Sequence, residues 1–207
     1  AEDIGHHILS GAIMDPRGIA ELIPDWLESG FPVESEVLED WAEILRPGGK
    51  HHVLKGALTP PQLRNHGHYI ISLNKAVRWM AERAEAAGIE IYGGFPAAEI
   101  LHDEQGRVLG VVTRDAGLAK DGSRKSTFEP GMRILAQVTV FAEATRGNLA
   151  KALFASHDLC AGAGARTYGT GLKELWRVRP GVGAEYKGTV VRLGGYPLGS
   201  DAYGGGW

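Results

Sequence analysis

Only one of the 207 residues is a cysteine, Cys160, so an internal disulfide is excluded and nothing argues for an oxidising compartment. No apolar run approaches the roughly 20 residues that a membrane-spanning helix needs. Basic and acidic side chains nearly balance (22 against 25, net −3), and no basic stripe appears, so nucleic acid is not an expected partner. A Gly-x-Gly-x-x-Gly string opening a helix is also missing. No Ser-His-Asp, Cys-His or metal-ligand set is present. What remains is globular composition, 43% hydrophobic and 23% charged, enough for one sizeable core. Glycine is abundant at 30 residues, much of it after Gly147, which points to tight turns and to backbone approaching a ligand closely. The chain starts at Ala1 with no initiator methionine or signal peptide and ends in Gly-Gly-Gly-Trp207. It therefore reads as the middle of a larger protein.

Local pattern predicts the following elements. Pro16 to Leu27 reads as a short helix, with Asp15-Pro16 as N-cap and N1 proline and Ile19, Leu22, Ile23 and Trp26 recurring at 3–4 spacing, and Pro24 limits its regularity. Gly30 to Pro61 reads as loop and short strand. Ser72 is an N-cap for a helix with Leu73, Ala76, Val77, Met80, Ala81 and Ala84 on one face, and Gly88 sits where a C′ glycine belongs. A strand is expected at Ile89–Tyr92. A meander then runs through Ala97–Leu101, a turn at Asp103–Gly106, and Val108–Thr113. After a polar excursion over Asp115–Pro130, the β-branched run Val138–Phe141 reads as a buried central strand. A short helix through Leu149, Leu153 and Phe154 follows.

Helix, strand, meander and buried strand ending in an acidic, glycine-containing turn is the order found in the second half of a glutathione-reductase-type FAD-binding domain. The fold class is therefore α/β, α+β in part. An unrelated α/β domain is the alternative reading of the same pattern.

Five strings are more specific: Ser10-Gly-Ala-Ile-Met-Asp-Pro16, Asn65-His-Gly-His-Tyr-Ile70, Phe141-Ala-Glu143, Thr167-Tyr-Gly-Thr-Gly-Leu-Lys-Glu-Leu-Trp176 and Tyr203-Gly-Gly205. In this order and spacing the chain resembles the electron transfer flavoprotein–ubiquinone oxidoreductase family along essentially its whole length. The resemblance implies a relay: electrons from reduced electron transfer flavoprotein pass through FAD and an iron–sulfur (4Fe-4S) cluster to ubiquinone, with the protein positioning and tuning cofactors. It implies that residues 1–158 are a partial FAD-binding domain lacking its N-terminal glycine-rich unit, with 13–64 an irregular insertion that faces the membrane. Residues 159–207 would begin a ubiquinone-binding domain, and the cluster domain would lie outside the chain. The implied location is the membrane surface, on the cytoplasmic face of a bacterial inner membrane or the matrix face of the mitochondrial one.

Residue by residue, the resemblance places Ser10, Gly11 and Ala12 beside the flavin ring or its ribityl chain, with a plain tight turn as the alternative. Ser72 occupies a position where related flavoproteins often carry an arginine that reaches the cofactor; here a simple N-cap is the rival. Ile100 offers its peptide groups to the adenine, while its side chain is core. Glu143 and Gly147 belong to the turn that meets FAD, although Ala144 stands where the family usually has glycine; capping of the next helix is the rival for Glu143. Tyr203, Gly204 and Gly205 match the quinone site, where two glycines expose backbone N–H without crowding a ring. The histidine pairs His6-His7 and His51-His52, and His66 with His68, are read as structural or solvent-facing. Lys173-Glu174 reads as a surface strand or turn that pairs charges. Trp26, Leu27 and Trp41 suit either a surface that dips into a bilayer or packing under a loop. Rival identities are a flavoprotein dehydrogenase of the geranylgeranyl-reductase or nitrogen-fixation type, and a cofactor-free binding module.

Overall fold

In the computed structural model, which describes residues 3–8, 11–199 and 204–206, the first half of the chain is richer in strand than its proline and glycine spacing suggests. Strand β1 (Ala12–Met14) and the six-residue helix α1 (Arg17–Leu22) precede β2 (Val33–Glu36), β3 (Glu39–Leu45), β4 (His51–Lys55), β5 (Tyr69–Ile71) and the 14-residue helix α2 (Leu73–Ala86). Next come β6 (Ala97–His102), β7 (Val108–Thr113), β8 (Ala116–Leu118), β9 (Arg124–Glu129), β10 (Arg133–Leu135) and helix α3 (Asn148–Ser156). A largely irregular stretch leads to β11 (Thr189–Gly195) and β12 (Gly205–Gly206). These elements divide into two units, Ala1–Ile91 with Leu172–Trp207, and Tyr92–Gly171. Helices and mixed sheets together make an α/β arrangement.

The first unit is held by aromatic packing. Strands β1, β5 and β2 form an antiparallel sheet, with Ala12 and Val33 both opposite Ile71. Ile19 of α1, Ala76 and Trp79 of α2, and Trp26 and Phe31 of the intervening loop bury against it. Trp26 meets Phe31 and Tyr69 edge-on at 5.3 and 5.1 Å, and Phe31 meets Trp79 at 5.2 Å. Such T-shaped contacts satisfy ring quadrupoles as well as hydrophobic burial. Helix α1 stops at Leu22, with Ile23 as its C-cap before Pro24, so it is shorter than the helix to Leu27 that the spacing predicts, and residues 24–30 are turn. Ser72 does occupy the N-cap of α2 with extended backbone, but its hydroxyl makes no capping hydrogen bond; its carbonyl accepts from Ala76 at 2.9 Å. Gly88, at φ +84°, donates to the Glu85 carbonyl at 2.9 Å and closes the helix in the left-handed conformation that suits glycine.

The second sheet of this unit has the order β12-β11-β3-β4. Strand β3 pairs antiparallel with β4 and parallel with β11, from Thr189 opposite Glu39 to Gly195 opposite Leu45. Val191, at 1% exposure, lies at its centre. The stretch expected as loop and short strand is thus a sheet, because the ladder partner of β3 comes from the other end of the chain. A non-local partner leaves no local sequence signal.

In the second unit β6 and β7 form the two meander strands expected, and β10 adds a third strand on the other side of β7. The Asp103 carboxylate fixes its first turn by accepting the backbone N–H groups of Gln105 and Arg107 at 3.0 and 2.8 Å. The polar excursion folds into the β8–β9 hairpin. Helix α3 forms where Leu149, Leu153 and Phe154 predict it. Two expected strands do not form: Ile89–Tyr92 and Val138–Phe141 have no ladder partner. Val138 and Val140 are 78% and 82% exposed, so the run expected to be central and buried lies open. A β-branched run becomes a strand only where a neighbour takes up its backbone N–H and C=O groups. Among the described residues none does.

Candidate functional site

A cavity of about 380 Å³ in the first unit lies between the two sheets' strands. Its walls are Gly11, Ala12 and Ile13 at the head of β1, Ile70 of β5, Thr189–Arg192 of β11, Gly206 of β12, and Lys173–Leu175 from the irregular stretch. Pockets for small molecules fall at about 300–1,000 Å³ and combine apolar walls with a few polar groups. Here Ile13, Ile70, Leu175, Val190 and Val191 supply the apolar part. Gly11 has φ +109°, and a side chain there would meet no atom within 4 Å, so the backbone is bare on that side. The Lys173 ammonium donates to the Gly11 carbonyl at 2.6 Å. The cavity thus combines apolar walls and exposed backbone with the side chains of Lys173, Glu174 and Arg192.

This arrangement brings some of the sequence-predicted residues together. Gly11 and Ala12 form one wall, while Ser10 lies outside the described residues. Tyr203 lies outside them too. Gly204 and Gly205 continue into β12, where Gly205 pairs with Leu193, and the next residue, Gly206, reaches the cavity. Ser72 directly follows Ile71, the ladder partner of Ala12. Sequence reasoning missed Lys173 as a site residue. Both Lys173 and Glu174 are exposed, as expected, but they do not pair with each other: Lys173 donates to Gly11, while Glu174 accepts the Trp176 indole N–H at 2.8 Å. The stretch around them is irregular, so the expected surface strand is absent. The Asn65–Ile70 string acts from behind the wall. Buried Asn65 accepts from Arg192 at 3.1 Å through its side-chain oxygen, and its backbone N–H donates to the Asp40 carboxylate at 2.8 Å. Arg192 also donates to the Leu63 carbonyl.

In the second unit, Glu143 and Gly147 meet each other. The Glu143 carboxylate accepts the N–H of Ala150 at 2.6 Å, satisfying a donor in the first turn of α3, so the capping role is the one its geometry displays. A Cβ on Gly147 would fall 2.2 Å from the Glu143 Cβ, which explains glycine there. Ala144 holds φ +59°, the left-handed conformation that the glycine usual at this position would adopt freely. Ile100 sits in β6 opposite Val111, half-buried. A second cavity of about 470 Å³ adjoins this turn, lined by Phe141, Ala144–Gly147, Ala150, Lys151, Phe154 and Arg166–Tyr168. Replacing Glu143 with alanine is expected to cost about 0.5–2 kcal/mol, as loss of other N-terminal caps does. Glutamine, which keeps an acceptor, should restore most of it. Urea denaturation of the two variants measures the difference; equal stability of all three proteins contradicts the capping role.

Asp15, in the first specific string, is the most strongly shifted carboxyl. The Arg17 guanidinium donates to it at 2.8 and 2.5 Å and the Arg17 backbone N–H at 3.0 Å. Those bonds, the side-chain one foremost, lower its pKa from 3.8 to about 2. A depressed carboxyl stabilises the fold above its unfolded value, and this contribution is lost as pH falls from 3.8 towards 2. An NMR titration of the Asp15 carboxyl should therefore give a midpoint near 2, whereas 3.8 contradicts the contact.

Trp26 is 5% exposed and part of the core, so of its two readings packing is the one observed. Leu27 is exposed, and Trp41 is half-buried on β3 with its indole N–H on Glu43 at 2.8 Å and the Lys55 ammonium 5.1 Å from its ring. No helix among the described residues is long and apolar enough to cross a membrane. His66 lines a small cavity with Asp40 and Arg64, whereas His68 lies 3.9 Å from Asp15, so these two do not share one face. Among the described residues no three of His, Cys, Asp and Glu are grouped to hold a metal ion. A lone exposed Cys160 does not fit a cluster held by four thiolates.

No protein-family model matches the chain. Individual relatives do. It is 47% identical over 206 residues, 99% of its length, to the mitochondrial electron transfer flavoprotein-ubiquinone oxidoreductase of Mus musculus. The corresponding protein of Homo sapiens is 45% identical over 206 residues, and that of Dictyostelium discoideum 43% over 203. The chain spans about a third of the length of these curated relatives (33%, 33% and 32%). It is thus related to the electron transfer flavoprotein–ubiquinone oxidoreductases along nearly all of its own length.

Proposed function

We propose that the chain is a central stretch of an electron transfer flavoprotein–ubiquinone oxidoreductase, the premise from which the cavity acquires its chemistry. The complete protein would accept electrons from reduced electron transfer flavoprotein and deliver them, through FAD and an iron–sulfur cluster, to ubiquinone at a membrane surface. Residues 1–158 would contribute part of the FAD-binding domain and 159–207 the start of the ubiquinone-binding domain. The thiolates of the cluster would come from outside these residues, since Cys160 is the only cysteine.

One observation carries this reading. Gly11 and Ala12, assigned to the flavin, border the same cavity as Gly206, the residue that follows the Tyr203–Gly205 strip assigned to the quinone, although these segments lie far apart in the sequence. FAD, when bound, supplies reversible electron acceptance; the protein's own residues orient it and exclude water. Gly11 and Ala12 would let backbone lie against the ring, with Ile13, Ile70 and Val190 giving it apolar walls. Gly204 and Gly205 would present backbone N–H groups to a quinone carbonyl, with Tyr203 beside them. Ser72 would serve the cofactor within the first unit. Within the second unit Ile100, Glu143 and Gly147 are the residues assigned to FAD, and the Glu143 carboxylate would act by holding α3 in place.

The test is to express the complete reading frame that contains the chain, purify the product and record its visible and low-temperature EPR spectra. Flavin and cluster signals bleached by reduced electron transfer flavoprotein and restored by ubiquinone are expected. Flavin without a cluster would favour a related flavoprotein dehydrogenase, and absence of both cofactors would leave a binding module.

A further inference from the structure

We infer that Lys173 is the cation that favours the reduced, negatively charged form of the redox ring bound in the first unit's cavity, an inference that rests on the FAD reading above. Three charged side chains line that cavity, Lys173, Glu174 and Arg192. Glu174 accepts the Trp176 indole N–H, and the Arg192 guanidinium is held by the Leu63 carbonyl and Asn65. Arg192 keeps unused N–H groups, but its guanidinium is tied behind the wall at Leu63 and Asn65. Lys173, an exposed side chain, makes its described hydrogen bond on the wall itself, to the Gly11 carbonyl at 2.6 Å, and the other two of its three donors remain for a ligand. The bond also seats the ammonium against the bare backbone of Gly11, at the wall where a flat ring would enter.

The charge balance follows from flavin chemistry. Two electrons from reduced electron transfer flavoprotein, with one proton from solvent, convert a neutral oxidised ring into a monoanion. Lys173 transfers nothing in this step. Lys173 is exposed, and a ring seated in the slot would displace water from between itself and the ammonium, so the cation would attract the anion more strongly than the neutral ring. The ammonium thereby raises the affinity for the reduced ring relative to the oxidised one. A tenfold difference in that ratio corresponds to about 30 mV for a two-electron couple.

The experiment uses the complete protein and its variants Lys173→Gln and Lys173→Arg, with flavin content from absorbance and the midpoint potential of the bound flavin from a dithionite titration. Lys173→Gln should lower the midpoint by about 30 mV, and Lys173→Arg should keep it near the original value. Loss of flavin from Lys173→Gln alone, with an unchanged midpoint in Lys173→Arg, also supports the role of charge. The same midpoint in all three proteins overturns the inference, as does loss of flavin from both variants. So does a raised KM for ubiquinone with an unmoved flavin midpoint, which would assign the cation to the quinone instead. The FAD reading is judged separately, on whether the unaltered protein holds flavin at all.

Discussion

Replacing Trp26 with alanine should destabilise the first unit by about 3–5 kcal/mol, the range for truncating a buried large aromatic side chain. The indole is 5% exposed and lies edge-on to both Phe31 and Tyr69, so its removal opens a cavity and takes two ring contacts with it. Neighbours relax only partly around such a void, which is why the loss exceeds the transfer energy of the removed atoms. Trp26→Phe should cost less, since a smaller ring still fills part of the space. The same variant decides between two uses of this residue. A tryptophan that dips into a bilayer would tolerate alanine in solution and lose vesicle binding instead. Denaturant midpoints before and after the substitution, with vesicle co-sedimentation alongside, separate the two. A stability change under about 1 kcal/mol would contradict the core placement, because surface substitutions usually fall in that range.

The second large effect concerns the glycine strip. A Cβ on Gly204 would lie 2.3 Å from the Leu193 carbonyl oxygen, with φ +103°, and one on Gly206 would lie 2.2 Å from the Val191 oxygen. Both contacts are with backbone, which cannot rotate aside as a side chain does. Alanine at either position should therefore detach β12 from β11, opening the edge of the cavity wall without unfolding the sheet beneath. Gly205 is different: open space surrounds its Cβ position, although it pairs with Leu193. In the complete enzyme, Gly204→Ala and Gly206→Ala are each expected to reduce ubiquinone-dependent turnover about 100-fold, the scale of loss when a positioning element moves by about 1 Å. Flavin content should hold. Gly205→Ala should leave stability unchanged, so a rise in its KM for ubiquinone reports on the ligand alone. Normal turnover in Gly204→Ala would show that the strip does not position the quinone.

How far the sequence foretold these features depended on where each residue's partners lie. Helix α2 was legible at both ends because Ser72 and Gly88 act on their own neighbours, and the Asp103 turn and α3 are local in the same way. Strand β3 was not, since its parallel partner β11 is remote in sequence. Val138–Phe141 shows the converse: its composition is that of a buried strand, yet composition supplies no neighbour, and the run lies exposed. At the cavity, Gly11 and Ala12 stand out in the sequence through a specific string, and in the fold they line its wall. Lys173 was overlooked because a Lys-Glu pair in sequence looks like a solvated surface. Only the fold turns its ammonium to Gly11. Glu143 carried two readings of equal chemical sense, and the hydrogen bond to Ala150 displays the structural one.

The central claim is that the cavity between β1 and β11 receives the flavin ring. Hydrogen exchange of the complete protein, with and without bound FAD, tests it most directly. The account predicts FAD-dependent protection of residues 11–13, 173–175 and 189–192. Protection confined to other segments, with these amides exchanging at the same rate in both states, would contradict it.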